Sequence, residues 1–256
     1  MSRRIKPQHG GIFASTPCLG IICGKTGRGK TYLLMKALLA EGLLDYDSLY
    51  IYTSTPEQAA YQFLKNGFAN HLSRAAIGYL FHAYEEDDTI DSSVSDFCDA
   101  FRDDNQMREK NKDKKVTVNL SSKALPMPES LDKTKKHVII FDDCVNQRDQ
   151  SLQKEYYTRG RHMNCTVFYL TQRYYDVPKI IRDNSNLMIL FKQPHKSLTL
   201  LFNELDAENS DKMKLIARES WKSKYSYIAI NTAFDENNIT TNIFDKEDDE
   251  EDMEDE

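Results

Sequence analysis

The sequence predicts an α/β fold: a mainly parallel central sheet flanked by helices, with a β-hairpin at its C-terminal end. Three observations predict it. Short runs at 138–141, 166–170 and 187–191 are apolar on both faces, as buried parallel strands are. Segments of helical spacing separate these runs and supply the crossovers. Near the start, an apolar run at 19–23 leads through a glycine-rich loop into a helical stretch, the strand–loop–helix order of a βα unit.

Taken in order, the first strand is 19–23 and its helix 32–40. LYIYT at 49–53 reads as the second strand, bounded by Ser54-Thr55-Pro56, and Thr55 is expected to cap a helix over 56–64. Helical spacing returns at 72–84 and 94–110, on either side of an acidic turn at 85–88. Residues 110–136 read as a polar connection with eight lysines against Asp113, Glu129 and Asp132, kept partly non-helical by Pro126 and Pro128. The strand at 138–141 ends in Asp142-Asp143, and the strand at 166–170 ends in Thr171-Gln172. Another helical stretch precedes the strand at 187–191. Helices are expected at 197–205 and 211–221, then a hairpin of 225–230 and 240–244 turning around 235–238. There is no internal repeat.

A chain of 256 residues with 40% hydrophobic content can bury one substantial core. The expected organisation is a single domain over 1–245, with 68–136 as a helical and lysine-rich insertion, followed by a disordered acidic tail at 246–256. The net charge of −6 is a property of that tail, since 247–256 hold nine acidic residues. Without 246–256 there remain 33 basic and 31 acidic residues, a near-neutral body. The tail reads either as a solubilising run or as a mimic of nucleic-acid charge that covers a basic surface. Arg3, Arg4 and Lys6 lack an apolar stretch behind them, so they form no secretory signal; an import signal, a DNA-touching arm and a solvated terminus stay open. No run approaches the length of a membrane span. Five scattered cysteines without C-x-x-C spacing point to a reduced, intracellular protein with no zinc motif.

The loop at 24–31, GKTGRGKT, fits G-x-x-x-x-G-K-[ST], the phosphate-wrapping P-loop. Gly24, Lys25, Thr26, Gly27, Arg28 and Gly29 would turn backbone N–H groups toward phosphates at a helix N-terminus. Lys30 would reach the β- and γ-phosphates, and the Thr31 hydroxyl would bind Mg2+. The GKT at 24–26 is a decoy, because its motif would need glycine at Leu19. Nucleotide binding is the conclusion.

Asp142, directly after VIIF, is placed to hold Mg2+ at a strand tip, and Asp143 to polarise an attacking water. Alone, such a pair also describes an acidic turn after any buried strand. Gln172 ends another strand, where its amide can donate to phosphate and accept from water without adding charge. It also fits an ordinary polar strand end. Arg159 and Arg161, in TRGRHMN at 158–164, read either as surface ion-pairing groups or as a guanidinium inserted into a neighbouring subunit's site.

Together these segments resemble the FtsK–HerA superfamily, and most closely the poxvirus-type genome-packaging ATPases of large DNA viruses and related virus-like transposons. The residues that carry the resemblance are GKTGRGKT, VIIFDDC and YYTRGRHMNCTVFYLTQRYYDVPKIIRDNSNLMILFK, the last spanning 156–192. It implies an ASCE-type P-loop fold in which the strand ending in Gln172 lies between the P-loop strand and the strand ending in Asp142. It further implies a six-subunit ring that pumps double-stranded DNA into a capsid using ATP and Mg2+, with a capsid or portal protein as partner. The setting would be host cytoplasm or nucleus, or the virion. Carried over by residue, Lys30 and Thr31 bind phosphate and metal, Asp142 holds the metal, and Asp143 takes the catalytic carboxylate position. Gln172 is the sensor, and Arg161 or Arg159 is the finger supplied in trans. Many relatives of this class have glutamate where this chain has Asp143.

DNA contact is sought in the lysines of 110–136, a run that equally describes a solvated linker, or in Lys179 and Arg182. Two further readings stand beside the motor. One is a small-molecule kinase, which would need an arginine-rich lid that the chain lacks. The other is an ATP-binding scaffold with little turnover that assists capsid assembly.

Overall fold

The structure is a computed structural model, and it describes residues 10–14, 17–86, 94, 116–205, 209–233 and 239–244. Among these residues, eight strands form one sheet. They are β1 (Leu19–Cys23), β2 (Ser48–Thr53), β3 (Thr117–Ser121), β4 (His137–Asp142), β5 (Cys165–Thr171), β6 (Leu187–Phe191), β7 (Tyr227–Asn231) and β8 (Ile239–Thr240). Their order across the sheet is β3-β2-β4-β5-β1-β6-β7-β8. The pairs from β3 to β6 are parallel, while β6–β7 and β7–β8 are antiparallel. β5 therefore lies between β1 and β4, the arrangement that the family resemblance implies.

The central strands are apolar throughout because both faces of the sheet are covered. Ile22, Ile140, Phe168 and Leu170 face one core, together with residues of α1 (Lys30–Leu39), α2 (Ala59–Ala69) and α3 (Arg74–Glu86) such as Leu34, Leu38, Phe63 and Ile77. Ile21, Ile139, Phe141, Val167 and Tyr169 face the other. There they meet Tyr156 and Tyr157 of α4 (Ser151–Arg159), Ile181 of α5 (Lys179–Asn184), Phe202 of α6 (His195–Leu205) and Met213 of α7 (Ser210–Ser220). Successive strand residues alternate between two buried layers, so alternation of polarity is lost.

Several boundaries differ from the sequence reading. β3 falls inside the stretch read as a polar connection. It is an edge strand in which only Val118 and Leu120 turn apolar surface inward, so its composition hides it. α2 begins at Ala59 and runs to Ala69, and Thr55 does not cap it. Instead, the Thr55 N–H donates to Thr53 Oγ1 (3.2 Å) and its hydroxyl accepts from Gln58 Nε2 (2.7 Å), closing the turn after β2. The C-terminal hairpin is present, with Ala229 opposite Thr240 and Ile230 opposite Ile239, but β8 is only two residues long. The helix expected over 94–110, apart from residue 94, and the acidic tail lie outside the described residues. Cys18, Cys23, Cys144 and Cys165 are buried and none of the four forms a disulfide. No helix among the described residues is long and apolar enough to cross a membrane.

Candidate active site

Parallel strands direct their C-terminal ends to one edge of the sheet, and a cleft of about 890 Å3 opens at that edge. β1 enters the P-loop beneath it. The Gly24 N–H donates to the Thr171 carbonyl (3.0 Å), pinning the loop to β5. A Cβ on Gly24 would stand 2.7 Å from Phe191 Cβ, so only glycine fits between the loop and β6. Gly29 has φ 92° and is the residue before α1, with no side chain capping that helix. The first N–H groups of α1 are thus left for a ligand rather than for the chain. Lys25, Thr26, Gly27, Gly29, Lys30 and Thr31 line the cleft; Gly24 lies buried beneath it, and Arg28 is half-buried in the loop.

Lys30 Nζ donates to the carbonyls of Gly24 (2.7 Å) and Lys25 (3.3 Å), curled over its own loop. Burial lowers its pKa, and the carboxylate of Asp142 opposes that shift. Asp142, the last residue of β4, is buried, and desolvation raises its pKa. A hydrogen bond of 2.5 Å from the Tyr61 hydroxyl to Asp142 Oδ2 partly offsets the rise. Thr31 lies beside that hydroxyl and lowers the Tyr61 pKa against the rise that burial causes. Tyr61 therefore joins Thr31 and Asp142, the two residues expected to hold metal.

Adjacent residues of a strand point to opposite faces, yet Asp142 and Asp143 both line the cleft. The turn at Asp143 explains this: its φ is 55°, in the left-handed region, which swings the second carboxylate to the side of the first. Aspartate enters that region more readily than most side chains. The shorter acid at this position suits the backbone it occupies. Asp143 Oδ2 accepts from Ser54 Oγ (3.1 Å), at the end of β2.

Gln172 follows β5 and lines the same cleft. Its loop is held from outside. Arg173 pairs with Asp176 (2.8 Å), and the Arg182 guanidinium lies over Tyr174 and Tyr175 while bonding the Val177 carbonyl and Glu204. Arg182 is 13% exposed, with its guanidinium engaged by these groups. Lys179 is paired with Asp183 (2.7 Å). Lys136, in the lysine-rich stretch, pairs with Asp45 and ties β2 to β4, whereas Lys123, Lys133 and Lys135 are exposed.

Arg159 and Arg161 are not brought to the cleft. They precede β5, so the length of that strand, about 20 Å at ~3.3 Å per residue, separates them from Gln172. Arg159 is held by Glu129 (3.0 Å) and Glu155 (3.1 Å). Arg161 is exposed, with no hydrogen bond or ion pair among the described residues.

The cleft fits the two groups that the motifs imply. For a nucleotide, the glycine-built turn and uncapped helix start provide the phosphate cradle. For Mg2+, Thr31 and Asp142 offer hard oxygen donors in the same cleft. A site with one carboxylate and one hydroxyl leaves positions for water and phosphate oxygens, as this ion prefers. Among the described residues no group of three or more His, Cys, Asp or Glu could hold an ion without such help. Sequence reasoning missed Tyr61, whose contact with Asp142 spans 81 positions and leaves no local signal.

Comparison with solved structures finds likeness to the genome packaging NTPase B204 from Sulfolobus turreted icosahedral virus 2 in complex with AMP. Identity is 15%, the match covers 85% of this chain and 94% of that one, and the TM-score is 0.46. VirB4 of Thermoanaerobacter pseudethanolicus is similar at 12% identity, covering 88% of this chain and 89% of that one, with a TM-score of 0.44. No curated protein matches the sequence. The family model described as "Poxvirus A32 protein" matches residues 113–256, a stretch that includes Asp142, Asp143, Arg159, Arg161 and Gln172. The chain belongs to the poxvirus A32 protein family.

Proposed function

We propose that this protein is an ATPase that moves double-stranded DNA into a viral capsid, working as a ring of six identical subunits. The observation that carries the reading is the meeting of Lys30, Thr31, Asp142, Asp143 and Gln172 in one cleft, from three adjacent strands. Family membership and the motifs of 156–192 point to the packaging class.

In this account the loop at 24–29 and the first turn of α1 bind the triphosphate, and Lys30 turns from its own carbonyls to the β- and γ-phosphate oxygens. Thr31 and Asp142 would hold Mg2+, which when bound neutralises charge shared by those oxygens. Asp143 orients the attacking water and draws on its proton, while Ser54 fixes the carboxylate. Gln172 contacts both the water and the γ-phosphate. Arg161 of one subunit enters the cleft of the next and stabilises charge on the transferred group; Arg159, already paired, stiffens the turn that carries it. Exposed lysines of the 110–136 stretch meet DNA phosphates without reading sequence, as a motor acting on any sequence requires.

The test is ATP hydrolysis with and without long linear duplex DNA at low salt, comparing wild type with Lys30→Ala. The account expects stimulation by DNA that fades as salt rises, and no turnover by Lys30→Ala. Tight ATP binding without turnover, with or without DNA, would replace it with the scaffold reading. Phosphorylation of a small molecule by a monomer would replace it with a kinase.

A further inference from the structure

The cleft is asymmetric about the P-loop. Asp142, Asp143 and Gln172 all lie on the β5 and β4 side of β1, so the γ-phosphate belongs there. The base is the opposite end of the nucleotide and must leave over the other flank, where β6 and β7 stand. β7 is antiparallel to β6, which brings its start to the same edge as the P-loop.

Tyr225, two residues before β7, occupies that flank. A Cβ placed on Gly29 would lie 3.7 Å from Tyr225 Cδ1 and 4.0 Å from its Cβ, so the side chain stands directly against the phosphate loop. It is 52% exposed although it is a large aromatic. Its φ is 65°, a region that bulky side chains rarely enter and that is costly to hold. Lys224 Nζ sits 4.7 Å from the ring centroid, covering part of the ring with positive charge and leaving the rest to solvent. The fold thus holds an aromatic face, at a backbone cost, beside the loop and opposite the catalytic carboxylates.

We propose that Tyr225 is the platform on which the purine base of the bound nucleotide stacks. The inference rests on the phosphate-binding reading of residues 24–31. Stacking on an aromatic ring recognises the π-face of the base and not its edge pattern, so adenine and guanine would both be accepted at this contact.

The test measures binding of a non-hydrolysable ATP analogue and, separately, of inorganic tripolyphosphate to the full chain by calorimetry. Tyr225→Ala is expected to weaken the analogue about tenfold and to leave tripolyphosphate within about twofold. Tyr225→Phe and Tyr225→Trp should bind the analogue as wild type does. Tyr225→Gly, which suits the positive φ, should lose the same affinity while melting no lower than wild type. Unchanged analogue binding by Tyr225→Ala, or an equal loss of both ligands, would overturn the proposal. If wild type fails to bind tripolyphosphate, the phosphate-loop reading falls and this inference falls with it.

Discussion

The two ends of β5 present opposite designs. At its C-terminal end three charged side chains of the cleft are held by the protein's own groups: Lys30 by loop carbonyls, Asp142 by Tyr61, Asp143 by Ser54. At its N-terminal end two arginines of one short turn are treated differently. Arg159 is bound by two glutamates, and Arg161 projects without a partner among the described residues. A nucleotide cleft needs its charges positioned before the ligand arrives, and Asp142, the buried one among them, would be costly to leave unpaired. A group that works on a neighbouring molecule must instead be exposed and unengaged. In our account one subunit therefore binds nucleotide alone but hydrolyses it only beside another copy.

Changes at the two ends should separate in kind. Arg161→Ala is expected to lower DNA-stimulated kcat by about 10³ or more, the usual worth of a trans arginine, with ATP affinity retained. A loss confined to KM would place Arg161 in binding instead. At the other end, Asp143→Asn should lower kcat by at least ~10², the lower range for a general base, with KM nearly unchanged. Retained turnover would leave Gln172 as the group that orients water. Tyr61→Phe removes the donor to a buried carboxylate and should cost about 1–3 kcal/mol in urea unfolding. An unchanged midpoint would mean that Asp142 finds another partner. The smallest effect is expected for Arg159→Ala, an exposed ion pair, whose melting should match wild type and whose kcat should fall far less than that of Arg161→Ala. If the two alanine variants behaved alike, the distinction between the arginines would collapse.

Most of the frame was legible in the sequence because burial on both faces leaves runs such as VIIF and TVFYL that few other structures require. The P-loop was legible because glycine at positions 24 and 29 answers local demands: a 2.7 Å approach of Phe191 and a left-handed turn. β3 was not, since an edge strand needs only two inward apolar residues. Nor was the link through Tyr61, which depends on α2 folding across the end of β4. The unequal state of Arg159 and Arg161 depends on Glu129, thirty positions before Arg159. Local patterns reveal strands and loops, whereas contacts that tune a site join residues the chain keeps apart.

The most direct measurement mixes two inactive variants. Lys30→Ala keeps its own Arg161 but cannot use nucleotide, and Arg161→Ala keeps its own cleft but lacks the group for its neighbour. Mixed with long duplex DNA, the two should recover part of the ATP hydrolysis that neither shows alone, because some interfaces join a working cleft to a working arginine. Activity in the mixture equal to the sum of the separate variants would contradict the claim that the site is completed between subunits.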